Sequence, residues 1–187
     1  MIGPRFVMAL ACVGLTVGCG SAPRVDVHDE RLPLEARQWV GGADDAVAIA
    51  QAGLDQAQTE RDELDRWKRQ VRANLARASA LTAPLEALIA ARDRLAERRV
   101  ERARARLELA RATRDLTHAQ TAMRYDLAVY DLASLRTAVA ASQAELERTG
   151  REVEEAVAAR DEATAAFWSA YRREVRNDPS VGALFWQ

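Results

Sequence analysis

The chain has 187 residues, only 5% of them aromatic, and its 49% apolar fraction leans heavily on alanine. That composition excludes a deep globular core and points to a thin, elongated helical assembly. Charge is dense but balanced, 27 basic residues against 28 acidic ones, so no whole-chain field selects nucleic acid or an acidic surface as partner.

Met1 to Arg5 is followed by an uncharged apolar run from Phe6 to Val17. As a helix this run is too short for the roughly 30 Å hydrocarbon core of a bilayer. One positive charge ahead of a short apolar run reads instead as a secretion signal over residues 1–18. The stretch Leu15-Thr16-Val17-Gly18-Cys19-Gly20-Ser21 then resembles the lipobox of bacterial lipoproteins. Gly18 supplies the small residue before the cysteine; Thr16 stands where the family usually has leucine, with Leu15 one place further back. The resemblance implies that Cys19 carries acyl chains such as palmitate and becomes the first mature residue. It also implies an outer-membrane address facing the periplasm, since Gly20 takes the place of the aspartate that favours the inner membrane. Several acyl chains on one residue make attachment effectively permanent. Ala9-Leu10-Ala11-Cys12 is a competing match that lies too early to leave room for an apolar signal region.

Residues 20–43 carry Pro23, Pro33, Gly41 and Gly42 without sustained periodicity and read as a flexible tether, so residues 19–43 form a lipidated N-terminus and linker. His28 sits among Asp26, Asp29 and Glu30. It reads as a solvated linker histidine, because no second histidine or cysteine is placed to complete a metal's coordination sphere.

Asp44 offers an N-cap, with Asp45 adding negative charge at the positive end of the helix dipole. Val47, Leu54 and Leu75 then hold one core position and Ala50, Ala57, Leu64, Val71 and Ala78 the other, with Arg61 and Lys68 interrupting the first set. This predicts a helix over about 44–80 and a turn at 81–84, where Pro84 is tolerated in a new first turn that Thr82 can cap. From Leu85 to Thr149 there are 65 residues without glycine or proline. Leu88, Leu95, Leu109, Leu116, Met123 and Tyr130 recur in steps of seven, broken only by Arg102, each followed three residues later by a residue that is mostly alanine. That is a heptad seam.

Beyond Tyr130 the stripe restarts at Leu132, Val139, Leu146 and Val153, skips Arg160 and resumes at Phe167, two residues out of step, or about 200° around a helix. Two all-α architectures accommodate the shift. One is an elongated antiparallel hairpin, a coiled coil whose second helix runs unbroken over about 84–176 and reaches about 135 Å. The other is a three-helix bundle with a turn near 124–131, which lays the acidic segment Glu145–Glu162 beside the basic segment 92–109. The absence of glycine or proline at that turn favours the hairpin. Asn177-Asp178-Pro179 ends the last helix, leaving an aromatic tail over 177–187. Met123, Tyr130 and Leu132 at the change of phase, and Phe167, Trp168, Phe185 and Trp186 towards the end, are the candidate partner contacts.

No nucleophile elbow, phosphate loop, zinc spacing or dinucleotide fingerprint is present, so an enzyme is not expected and no residue is assigned to catalysis, a cofactor or a metal. His118, one turn after Asp115, reads as half of a surface ion pair. Arg92–Arg114 holds nine arginines and four acids; the interleaved acids read as a salt-bridged helix face and not as a nucleic-acid stripe. The alanine-rich heptads are similar to the periplasmic helices of TolC-like efflux ducts and of their adaptor hairpins, a likeness confined to the helical pattern. Small murein-linked lipoproteins attach through a C-terminal lysine, whereas this sequence finishes Trp186-Gln187. The expected function is a lipid-anchored cell-envelope scaffold or accessory subunit that makes coiled-coil contacts with a protein partner or with itself. The alternative is a ligand- or substrate-binding lipoprotein with a compact three-helix body.

Overall fold

A computed structural model describes residues 24–75 and 79–181. All regular structure among them is helical: α1 (Leu34–Leu75), one 3-10 turn (Ser79–Leu81), α2 (Thr82–Arg124) and α3 (Leu132–Asn177). The three helices have 42, 43 and 46 residues, or about 63, 65 and 69 Å. Cys19, Phe185 and Trp186 lie outside the described residues.

The central helix organises the rest, because α2 is apolar on two opposite sides. Val100, Ala103, Leu107 and Ala110, spaced three and four apart, pack with Val47, Ala50, Leu54 and Ala57 of α1. On the other side Leu95 packs with Val153, Ala156 and Val157 of α3. A helix with two such stripes cannot bury both against one neighbour. It is therefore flanked, α1 on one side and α3 on the other, each antiparallel to α2, and α1 and α3 run parallel to each other. The flanking helices converge only at one end, where Leu81, Leu85, Leu88, Ile89, Phe167 and Val181 form a shared core against which Trp67 and Val71 pack. Along the rest of their length they are held apart by α2.

Of the two architectures open to the sequence, the chain adopts the three-helix one, and the helix expected over 84–176 is divided at residues 125–131. Its division needs neither glycine nor proline. Asp126 takes a left-handed conformation, φ 53°, which aspartate tolerates better than most residues. The Leu127 N–H then donates to the Ala122 carbonyl at 2.8 Å and the Asp126 N–H to that of Met123 at 3.4 Å. This is the paired closure of a Schellman cap, with aspartate where glycine is usual. Asp131 opens the next helix, its carboxylate accepting from the Ala133 and Ser134 N–H groups at 3.0 and 3.3 Å. At the earlier junction Pro84 sits in the first turn of α2 as expected. Thr82 is already helical, however, and the capping position belongs to Leu81, which makes no side-chain cap bond.

The N-terminal boundary differs too. Helix α1 starts at Leu34, ten residues before Asp44, and residues 24–33 are a packed strap, not a tether. Leu32, Ala36 and Val40 are buried with Val25 and Ala122. Burial of two large aliphatic side chains, each about 1.5–3 kcal/mol, outweighs the roughly 1 kcal/mol that Gly41 and Gly42 each cost inside a helix. The strap is shaped by its own polar groups: Asp29 receives a two-point contact from the Arg31 guanidinium. That bond holds the Asp29 carboxyl down to about 2. Arg37 donates to the Leu32 carbonyl at 2.9 Å.

His118 ties the strap to the body. It is 3% exposed, and its Nδ1 accepts from the Val25 N–H at 2.9 Å, leaving Nε2 to carry the ring proton, 3.4 Å from an Asp44 carboxylate oxygen. The surface pair with Asp115 is not formed; Asp115 is taken by Arg114 at 2.6 Å.

Removing the α3 cap tests how the turn is held. Asp131→Ala is expected to lower stability by about 1 kcal/mol, read as a fall of about 2–4 °C in the melting temperature.

Candidate helix-docking groove

Holding α1 and α3 apart leaves one face of α2 uncovered between them, as a groove of about 800 Å³. The α1 wall presents Ile49, Ala50, Gly53, Gln56 and Glu60, the α3 wall Leu146 and Val153, and α2 supplies a floor of Arg99, Arg102, Ala103 and Arg106. Ile49 is 67% exposed, a large aliphatic side chain left in water beside an apolar wall. The floor holds three arginines against one acid, Glu60, which reaches Arg99 at 3.5 Å. Arg102 and Arg106 make no ion pair with any described residue. Arg102 is also the residue that interrupts the heptad seam: its break in the apolar pattern is where α2 turns a charge towards the groove.

The opposite face of the layer has a different character. A second depression there is lined by Glu101, Arg104, Glu108, Glu145 and Arg148, and most of its charges are satisfied within the chain. Arg98 reaches Glu101 at 2.6 Å and Glu152 at 3.1 Å, Arg111 reaches Glu108 at 2.8 Å, and Arg148 reaches Glu145 at 2.5 Å and also Glu152. Hydrogen bonding to Glu101 raises the Arg98 guanidinium above its usual value. Contact with Glu145 does the same for Arg148.

Charges at the seams between helices are matched as well. Lys68 bridges Asp65 and Asp93 at 2.5 and 2.7 Å, bonds that push its ammonium up and the Asp65 carboxyl down. Arg72 meets Glu86 at 2.6 Å. The acidic run of α3 does lie along the basic run of α2, as Arg98–Glu152 shows. Arg92 stacks 4.1 Å over the Trp67 ring, and burial, helped by Arg160, presses its guanidinium downward. Among the described residues the grooved face is thus the one that carries excess positive charge beside exposed apolar surface.

The residues singled out as partner contacts fall mostly within the chain's own packing. Phe167 is 1% exposed and lies in the shared core, with the Trp168 and Tyr171 rings 5.5 and 6.2 Å away; it is not a partner surface. Tyr130 packs on the strap cluster, and Met123 and Leu132 are half-buried at the same end. The groove residues were not among those candidates. Their signal was the second spacing, Val100-Ala103-Leu107-Ala110, which shows that α2 needs neighbours on two sides and so leaves a third side open. Among the described residues no three His, Cys, Asp or Glu side chains gather as a metal set. No described helix is long and apolar enough to cross a membrane.

Comparison of the chain with protein-family models, curated proteins and solved structures finds no match.

Two glycines front the groove. Gly53 lines it, and Gly150 stands four residues after Leu146 and three before Val153, on the same side of α3. A Cβ added at either meets nothing within 4 Å, and neither has a positive φ. The isolated chain therefore has no structural need of either. Gly53→Ala and Gly150→Ala should each stabilise the monomeric fold by about 0.5–1 kcal/mol, measured by chemical denaturation.

Proposed function

We propose that this protein is a lipid-anchored component of the cell envelope that works as a helical docking module, a scaffold or accessory subunit without chemistry of its own. The observation that carries the docking part is the uncovered face of α2: apolar walls, an exposed Ile49, Arg102 and Arg106 without an ion pair among the described residues, and helices of 42 and 46 residues on either side. Burying such a face against another helix follows the helix-in-groove mode of recognition.

The anchoring part rests on Cys19 in its lipobox-like context, and the packed strap gives it a geometry. Cys19 precedes Arg24 by five positions in the sequence, a reach of at most about 17 Å. An acyl anchor there keeps the strap end of the body close to the bilayer. That end exposes Leu34 at 72%, Trp39 at 42% and Val129 at 90%, with Arg124 stacked 5.3 Å over the Trp39 ring. Aromatic and arginine side chains of this kind suit a headgroup layer. A body of about 65 Å is half the length of the unbroken helix considered above, so the reading is of a docking module near one membrane and not of a spacer across the envelope. The outer membrane, facing the periplasm, is the address that Gly20 favours.

A ligand- or substrate-binding lipoprotein is the second reading, favoured by the compact three-helix body and by a groove of 800 Å³, a volume that a small molecule could occupy. Native mass spectrometry of the protein from its own envelope separates the two, a retained small molecule supporting the second.

Labelled palmitate should enter the wild-type protein in intact cells and fail to enter Cys19→Ser. Equal labelling of the two, or none of the wild type, would remove the anchor from the reading while leaving the groove untouched.

A further inference from the structure

We propose that the groove is filled by helix α3 of a second copy of this chain, each copy laying its α3 into the other's groove about a two-fold axis beside Gly150. This deepens the docking reading by naming the occupant, and it is independent of acylation.

The occupant must be a ridge that is negative, narrow and of matching repeat. The rim of α3 next to the groove is such a ridge. Ala144, Glu147, Arg151, Glu154, Ala158, Asp161 and Ala165 are all exposed and recur three and four apart, which sets them in one row along the helix. Glu147, Glu154 and Asp161 sit seven residues apart, about 10.5 Å along the axis. Arg99 and Arg106 on the groove floor have the same separation. Arg151 stands between Glu147 and Glu154, and Ala144, Ala158 and Ala165 keep the rest of the row narrow.

The register of the body makes the arrangement self-consistent. The Arg98–Glu152 bridge sets Arg99 and Arg106 level with the part of α3 near residues 144–151. A two-fold axis perpendicular to α3 brings the two α3 helices together antiparallel. Setting Glu147 of one copy against Arg99 of the other then sets Glu154 against Arg106 at the same time. The two α3 helices pass each other next to Gly150, where a Cβ would meet nothing within 4 Å of its own chain. Gly53, on the opposite wall, is open in the same way. Such an interface is isologous and closes at two copies. It covers Ile49, supplies a carboxylate to Arg106, which has none among the described residues, and gives Arg99 a second one beside Glu60.

The test uses the chain carrying Cys19→Ser, so that lipid plays no part, followed by sedimentation velocity with circular dichroism as the check on folding. The expected species has twice the 20.6 kDa of one chain, and it weakens as salt is raised towards about 1 M, where charges are screened beyond ~3 Å. Reversing the floor (Arg99→Glu with Arg106→Glu) or the ridge (Glu147→Arg with Glu154→Arg) places like charges together, and each double variant alone should lose self-association by about 100-fold or more. Mixing the two double variants restores opposite charges at both grooves and should restore the dimer. Gly53→Trp, at a position where an added Cβ meets nothing within 4 Å, should keep the helical signal and be monomeric. A Cys19→Ser chain that stays monomeric, or folded double variants that fail to recover on mixing, would overturn the proposal; palmitate labelling of the wild-type chain is unaffected by either result.

Discussion

The constraint on which this structure depends is that α2 must bury apolar side chains on two nearly opposite sides. Val100, Leu107 and their alanine neighbours face α1, and Leu95 faces α3. One neighbouring helix satisfies one stripe, so two are needed, and they cannot also pack against each other along their length. The flat arrangement, its two unlike faces and the convergence of all three helices at the Leu81–Phe167 end follow from that requirement. Hydrophobic burial therefore fixes the layer. The ion pairs along its seams, mostly half in water, contribute more to register than to stability.

Electrostatics divides the two faces. Where Glu101, Glu108, Glu145 and Glu152 lie near Arg98, Arg111 and Arg148, charges are neutralised inside the chain. Where Arg102 breaks the leucine repeat, no acid among the described residues answers it. A polar residue at a core position of a coiled coil weakens packing but limits which partners are accepted. Here its effect is directional, since it makes one face of a thin body distinct from the other.

Much of the architecture is legible in the sequence, and the parts that are not have physical reasons. The leucine–alanine seam from Leu88, the break at Pro84, and the pairing of the acidic part of α3 with the basic part of α2 can all be read from spacing and charge. The turn at 125–131 is written in Asp126 and Asp131, residues that do the work of glycine and of a cap but lack glycine's unambiguous signal. The change of phase at Leu132 was the stronger clue. The start of α1 is hidden because Gly41 and Gly42 look like linker until Ala36 and Val40 are seen buried on Ala122, a tertiary gain that local preference does not include. The groove is the least legible feature, because it is defined by which sides of α2 are covered, and a single leucine repeat shows only one of them.

The strap bears on how a pull is transmitted. Tension applied to the chain upstream of Arg24 reaches first Val25, held by its amide bond to His118 and by its buried side chain, and only afterwards Leu32 and the helix it leads into. The strap lies alongside the bundle and doubles back at Pro33, so its contacts meet the load one after another and not all at once. Strain from outside would thus peel a short segment before it disturbed α1, a mechanical fuse that adds length under load while the three helices stay assembled.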